Sequence, residues 1–254
     1  MQIGREFESR WRKRFEDFAA RSDDDAGIAG WSQSGLRTRV RLFLRLWNRA
    51  EHRGTWLDLG CGAGTYTRIL GERGLTTVGC DYSFIALGKA RERSPGTISW
   101  AAADVTKLPF RDGCADGVLC FGVTQALASS FEAVREIAGV LKPGGAAWVD
   151  ALNSWCVAHM LASLRQRMRG RPPHLRYERP GRFAAAMREA EFNDICVHWI
   201  PLVPGRFERL QRVLEGPVMQ VLFRWIPPLG ALVSHSFFVT GTRTAQRTGR
   251  TGAA

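Results

Sequence analysis

The 254-residue sequence has no clean apolar run of membrane-spanning length. Its longest apolar stretch, Val218 to Val239, is interrupted by Arg224, Pro227, Pro228 and His235, whereas a spanning helix needs about 20 consecutive apolar residues. A secretory leader is also missing from the pattern, since Met1 to Arg14 is charged throughout. The expected compartment is therefore the cytoplasm, with peripheral attachment at the inner face of a membrane as the variant. Cysteine is sparse and unpaired: positions 61, 80, 114, 120, 156 and 196 show neither Cys-x-x-Cys spacing nor a disulfide framework. Such cysteines read as small apolar side chains in a reducing compartment, and no metal site is expected. Nor is there a Walker lysine or a recognisable RNA- or DNA-binding module.

What is abundant is positive charge. The net charge is +12, divided as +4 over residues 1–53, −1 over 54–150 and +9 over 151–254, where all 15 basic side chains are arginine. A near-neutral centre thus carries basic extensions. A solvated surface, an anionic membrane surface and a polyanionic substrate all fit that distribution, with nucleic acid the least supported.

The centre is organised around Trp56-Leu57-Asp58-Leu59-Gly60-Cys61-Gly62-Ala63-Gly64-Thr65-Tyr66. Trp56 to Leu59 reads as a buried strand, Tyr66 to Arg73 as a helix, and the alternate glycines as the turn between them. Strand, glycine-rich turn and helix N-terminus together form a nucleotide-type corner. The spacing is Gly-x-Gly-x-Gly and not the dinucleotide Gly-x-Gly-x-x-Gly. Asp58, just before the turn, would repel a pyrophosphate and attract a cation. Asp81 closes the second strand, 23 residues later, where a carboxylate can accept hydrogen bonds from ribose hydroxyls.

These residues resemble the class I S-adenosylmethionine (SAM)-dependent methyltransferases of the small-molecule, type 11-like kind. Asp58 to Gly64 is similar to their first motif and Gly79-Cys80-Asp81-Tyr82-Ser83 to their second. Ala103-Asp104-Val105 with Leu108-Pro109-Phe110 is similar to the adenine-contacting turn, and Leu141-Lys142-Pro143-Gly144-Gly145 to the lead-in of the fifth strand. The resemblance covers roughly residues 54 to 151, in the family's order. It implies SAM as cofactor, S-adenosylhomocysteine as product, Asp58, Gly60, Cys61, Gly62 and Gly64 around the methionine end, and Asp81 on the ribose. Tyr82 would flank the adenine, Asp104 and Val105 would contact its edge, and Phe121 would close the floor near the methyl group.

The expected fold is α/β, a doubly wound, seven-stranded, mostly parallel sheet with helical N-terminal and C-terminal additions. Residues 1–53 read as an N-terminal helical cap and 54–200 as the Rossmann-like core, with an acceptor-side insertion at 152–180. Residues 201–235 read as an apolar, Arg-rich helical addition, 236–241 as the last strand and 242–254 as a disordered tail. In the cap, Phe7, Trp11, Phe15 and Phe18 form an inward stripe, followed by a flexible segment from Ser22 through Gly35 and a helix over Leu36 to Glu51. Trp31 and Tyr66 are candidates to pack on the cofactor or its substrate.

No general base is announced. The family's Asn/Asp-Pro-Pro-Tyr motif for planar amines is missing after strand four, where Phe121-Gly122-Val123-Thr124-Gln125 stands instead. That points to transfer onto oxygen of a small or amphiphilic acceptor: a lipid, quinone, polyketide or saccharide intermediate. Of His159, His174, His198, His235 and Tyr177, the catalytic expectation falls on His174 and Tyr177, in the loop after strand five. His198 and His235 are expected to be structural. Peripheral membrane contact through residues 206–233 and a homodimer remain open as partners. The rival readings are an RNA methyltransferase and a non-catalytic SAM-fold partner subunit.

Overall fold

The structure, a computed structural model, describes residues 2–48, 50–170, 175–201, 203 and 208–245. Three N-terminal helices, α1 (Gln2–Arg21), α2 (Asp25–Ile28) and α3 (Gln33–Trp47), precede the alternating core. The core runs β1 (Thr55–Leu59), α4 (Thr65–Gly71), β2 (Thr76–Asp81), α5 (Phe84–Glu92), β3 (Ser99–Ala102), β4 (Ala115–Cys120), α6 (Ser130–Val140) and β5 (Leu141–Leu152). Then follow α7 (Val157–Met168), α8 (Pro180–Glu189), β6 (Phe192–Pro201), α9 (Glu208–Glu215), α10 (Pro217–Trp225), α11 (Pro227–Val233) and β7 (Ser234–Arg243). Among the described residues these strands form one seven-stranded sheet, in the order β3-β2-β1-β4-β5-β7-β6. All neighbouring pairs are parallel except those of β7, which runs antiparallel to β5 and β6.

Strand β1 shows why the centre is parallel and covered on both faces. Four of its five residues are buried, so it presents no polar face to water. Trp56 points to one side, into a cluster with Phe43, Trp47, Tyr66, Phe121, Trp148 and Phe238 under α3 and α4. Leu57 and Leu59 point to the other, into a cluster with Val134, Ile137, Phe183, Met187 and Phe223 under α6, α8 and α10. The chain reverses winding direction between β1 and β4, which places the ends of both at the switch point where ligands bind in such sheets.

One expectation for the N-terminal cap needs correction. Residues 22–35 are not simply a flexible linker: Asp24 caps the short helix α2 by accepting the Gly27 N–H, and Ala26 and Ile28 are buried. The cap is satisfied locally, which is why an Asp-rich, Gly-rich stretch becomes ordered. The C-terminal addition is helical, but its α9 helix docks through polar side chains. Glu215 accepts hydrogen bonds from Thr38 Oγ1, Arg41 Nε and Nη2, and Gln211 Nε2 at 2.8–2.9 Å. Leu210, Val213, Val218, Val221 and Trp225 are left exposed. The last strand runs to Arg243, past the expected end, and residues 246–254 of the expected tail lie outside the described residues.

The tight fit between β1 and β4 gives a stability test. A Cβ at Gly117 would lie 2.3 Å from the Trp56 ring. The expected outcome for Gly117→Ala is a loss of about 1–3 kcal/mol, typical of overpacking, read as a lower urea midpoint at unchanged m.

Candidate active site

The turn after β1 is built by conformation. Gly60, Gly62 and Gly64 have φ of +69°, +51° and +77°, values that side chains other than glycine rarely adopt. The Cys80 carbonyl accepts the Gly60 and Cys61 N–H groups at 2.7 and 2.9 Å. Asp81 Oδ2 accepts the Gly62 N–H at 2.9 Å, and its Oδ1 accepts the Ser83 N–H at the same distance. The tip of β2 is thereby stitched to the turn after β1. Burial pushes the Asp81 carboxyl above its ordinary pKa against those two hydrogen bonds.

Asp58 faces the same space from beneath the turn. Its Oδ2 accepts the Thr67 hydroxyl at 2.6 Å. Burial raises its pKa to about 6, with the Thr67 hydrogen bonds opposing the shift. A buried carboxylate with a single side-chain partner retains acceptor capacity for an incoming cation.

A cavity over this turn is lined by Asp58, Gly60, Cys61, Gly62, Asp81, Tyr82, Asp104, Val105 and Phe121. The candidate cofactor residues thus converge, with one departure. Gly64 is the helix cap of α4, and a Cβ there would meet Trp100 at 2.6 Å; its contribution is conformation and close packing. Trp31 and Tyr66 also line the cavity, as do Trp11 and Phe15 of α1. The Tyr66 hydroxyl is buried without a hydrogen-bond partner among the described residues, and burial raises its pKa. Such an orphaned group is what a ligand can satisfy. At the far end, Asp104 is occupied: it holds Arg12 of α1, while Thr106 donates to its other oxygen. Arg12 also lies over the Tyr82 ring, at 5.3 Å from its centroid. Helix α1 is therefore part of the cavity wall, which the local pattern of the core motifs did not show.

The residues present fit SAM. Two buried carboxylates and a ring of aromatic faces favour a cation and a planar base, and they disfavour a polyphosphate. A Cβ at Gly62 would meet only Ile28, at 4.0 Å, so this glycine leaves main chain open to a ligand.

The acceptor side departs more from expectation. His174 lies outside the described residues. Tyr177 is half-buried against His159, ring centroids 4.5 Å apart, and is not among the residues lining either cavity described here. Thr124 donates to the Asp150 carbonyl at 2.8 Å and is fully buried, a structural role. His198 sits in β6 within 3.2 Å of the Thr240 hydroxyl, as a strand residue should. His235, by contrast, lines a second cavity that shares Trp11, Phe15, Ala29 and Trp31 with the first. Its position in β7 hides this, because a strand edge in sequence gives no sign that a helix and an N-terminal cap enclose it.

Comparison with known proteins follows the same geometry. A family profile described as "Methyltransferase domain" matches residues 57–149. The bifunctional biotin biosynthesis protein BioHC of Cellvibrio japonicus is 34% identical over 97 residues, covering 38% of this chain and 19% of that protein. The demethylmenaquinone methyltransferase of Beutenbergia cavernae is 36% identical over 112 residues, covering 40% of this chain and 45% of the enzyme. A Homo sapiens protein named "Probable tRNA methyltransferase 9B" is 34% identical over 117 residues, covering 44% of this chain and 24% of that protein. These matches span less than half the length of each relative. Over nearly the whole chain, the fold is that of the Synechocystis magnesium protoporphyrin IX methyltransferase solved with bound S-adenosylhomocysteine, with TM-score 0.60 and 12% identity over 95% of this chain and 98% of the other. A chain from the Haloferax volcanii complex of the Trm112 methyltransferase activator with a methyltransferase aligns at TM-score 0.62 and 19% identity, over 91% and 97% of the two chains. Motif order, sheet topology and the profile match agree: residues 57–149 are a methyltransferase domain of the class I, SAM-dependent family.

Proposed function

We propose that this chain moves a methyl group from SAM to an oxygen of a small or amphiphilic acceptor. The observation that carries the reading is the pair of buried carboxylates, Asp58 and Asp81, facing one aromatic-lined cavity at the switch point. When bound, SAM supplies an electrophilic methyl group on a sulfonium, open to in-line displacement. The work of the protein is then to hold the donor and exclude water. Asp58 receives the ammonium, Asp81 the ribose hydroxyls, and Tyr82 and Val105 flank the adenine. Phe121, Tyr66 and Trp31 line the same cavity and would supply aromatic contact to the positive charge.

The α9–α11 addition supports contact with an anionic membrane surface. On α10 Val218 is 78% and Trp225 81% exposed beside an exposed Arg224, and Arg209 is exposed on α9. Apolar side chains with arginines beside them match an interfacial surface. A second copy of the chain is the competing occupant.

Titration calorimetry with S-adenosylhomocysteine tests the cofactor reading. Binding is expected to weaken at least about tenfold in Asp81→Ala, where a ribose-binding charged hydrogen bond is lost. The reading fails if a folded wild type does not bind. A pH profile gives an independent check. The Asp58 carboxyl of the free chain takes up a proton as pH falls through about 6, and only its ionised form attracts an ammonium. Affinity is expected to be flat above that value and to fall roughly tenfold per pH unit below it, a dependence that Asp58→Asn removes. For the surface, the chain is expected to co-sediment with anionic vesicles and less with zwitterionic ones, and Val218→Asp with Trp225→Asp is expected to release it. Concentration-dependent dimerisation without vesicle binding would favour the second copy. A steep salt dependence of tRNA binding with methyl incorporation would instead favour the RNA reading.

A further inference from the structure

The second cavity holds about 310 Å³, at the small end of ligand sites, which run roughly 300–1,000 Å³. Its walls are the Trp11, Phe15, Phe18 and Trp31 rings with Leu152 and Leu175. Its polar groups include His235, Gln125 and Arg39. The nearest arrangement of rings around a few polar tips suits one flat, hydroxylated ring.

Histidine tautomers follow from the partners. His159 Nδ1 lies 2.8 Å from the Asn153 carbonyl, which can only accept, so this nitrogen carries the proton. Burial lowers the His159 pKa, and burial with Arg39 and His159 nearby lowers that of His235 to about 3, so both rings are neutral near pH 7. A neutral His159 then offers a lone pair at Nε2, which lies 2.8 Å from His235 Nδ1. That contact makes His235 Nδ1 the donor. Its remaining nitrogen, Nε2, is left with a lone pair and has no hydrogen-bond partner among the described residues. Asn153 is itself fixed: it is fully buried, with its side-chain amide donating to the Ala231 and Ser234 carbonyls at 2.6 and 2.8 Å. The whole relay is thus held in one orientation by the junction of α7, α11 and β7.

Arg39 provides the second, independent observation. It is 3% exposed, and its Nε is ion-paired with Asp150 Oδ2 at 3.7 Å, without a closer hydrogen bond among the described residues. Its Nη2 donates to Ser236 at 3.1 Å, and its guanidinium lies 4.5 Å from the centroid of the Trp31 ring. Trp31 in turn fills the space over Gly122, where a Cβ would meet it at 2.7 Å. Asp150 in turn ties Arg39 to the wall of the first cavity, its Oδ1 accepting the N–H of Gly122, which lines that cavity, at 2.6 Å. A buried Arg39–Asp150 ion pair whose guanidinium lines the cavity, beside a neutral imidazole lone pair, suits a hydroxyl that donates to that lone pair.

We propose that this second cavity is the acceptor site, that it takes a phenol-class hydroxyl, and that His235 Nε2 accepts the hydroxyl proton while the Asn153–His159 relay fixes its tautomer. The proposal rests on the methyltransferase reading. The acceptor's O–H bond breaks with its proton passing to Nε2, and the oxygen's electron pair forms the O–CH3 bond. The pair of the broken S–CH3 bond stays on sulfur, so positive charge passes from sulfonium to imidazolium, which returns the proton to water. Arg39 stabilises the developing oxyanion. Among the described residues, the charged and titratable groups around His235 are His159 on α7, Arg39 on α3 with its partner Asp150 on β5 and, across the cavity, Arg14 on α1, with Tyr177 behind His159.

The test uses the full chain saturated with S-adenosylhomocysteine, with 4-nitrophenol and its methyl ether 4-nitroanisole as probes, below the pH at which the free phenol ionises. The phenol is expected to bind about tenfold tighter than the ether, the worth of one good hydrogen bond, and His235→Phe is expected to abolish that preference. Nitrogen-15 NMR is expected to show both rings protonated at Nδ1, with the His235 Nε2 resonance moving when the phenol binds and not when the ether does. His159→Gln, which leaves the cavity lining intact, is expected to reduce the preference by mixing the His235 tautomers. This variant carries the test if His235→Phe does not fold. A preference that survives loss of His235, an equal affinity for both probes, or a proton on His235 Nε2 would overturn the proposal. If S-adenosylhomocysteine itself fails to bind wild type, the cofactor reading falls, and the same phenol and ether comparison is read on the free chain.

Discussion

The tips of β1 and β2 are joined by three hydrogen bonds into one turn: the Cys80 carbonyl takes two N–H groups of the glycine turn, and Asp81 takes the N–H of Gly62. Everything at the site is positioned from there. The bonds hold Gly60 and Gly62 at positive φ, which directs the chain into α4, which brings Thr67 onto Asp58. They also fix Asp81 at the mouth of the cavity. Because the adjoining strands are buried on both faces, the turn cannot shift without disturbing two clusters of packed side chains. Its rigidity comes from the sheet and its ligand-binding capacity from the glycines.

Two buried acids on one side of the cavity create an electrostatic problem that a cation resolves. Burial raises the pKa of both Asp58 and Asp81, so their neutral forms are favoured more than in water. A ligand carrying an ammonium and ribose hydroxyls returns the charged forms to favour. A second buried pair, Arg39 with Asp150, sets its guanidinium against the Trp31 ring and in the wall of the other cavity. The same N-terminal helices wall both spaces, so binding on either side acts on one shared set of rings.

The C-terminal addition shows how polar groups can direct a helix with an apolar composition. Glu215 and Gln211 are buried and bonded to α3 and to the end of β6, while much of the apolar surface of α9 and α10 faces outward. The polar contacts are directional and need specific partners, whereas apolar side chains can meet any apolar surface. Phe223 still anchors α10 in the core, but the apolar side chains left outside form a surface suited to a partner.

The sequence by itself determined the core. Glycines at alternate positions, Asp58 before them and Asp81 after the second strand are local signals, because backbone conformation and strand burial are set by near neighbours in the chain. Strand positions in the parallel region could be read for the same reason: β1 and β4 lie where the apolar runs place them. What closes the site depends on contacts between segments far apart in the chain. That Arg12 occupies Asp104, that Gly64 packs on Trp100 without lining the cavity, and that His159 meets His235 across 76 residues are contacts between distant segments. Periodicity carries no information about such pairings. A histidine in a strand looks structural until the fold shows which nitrogen is held and which is left open.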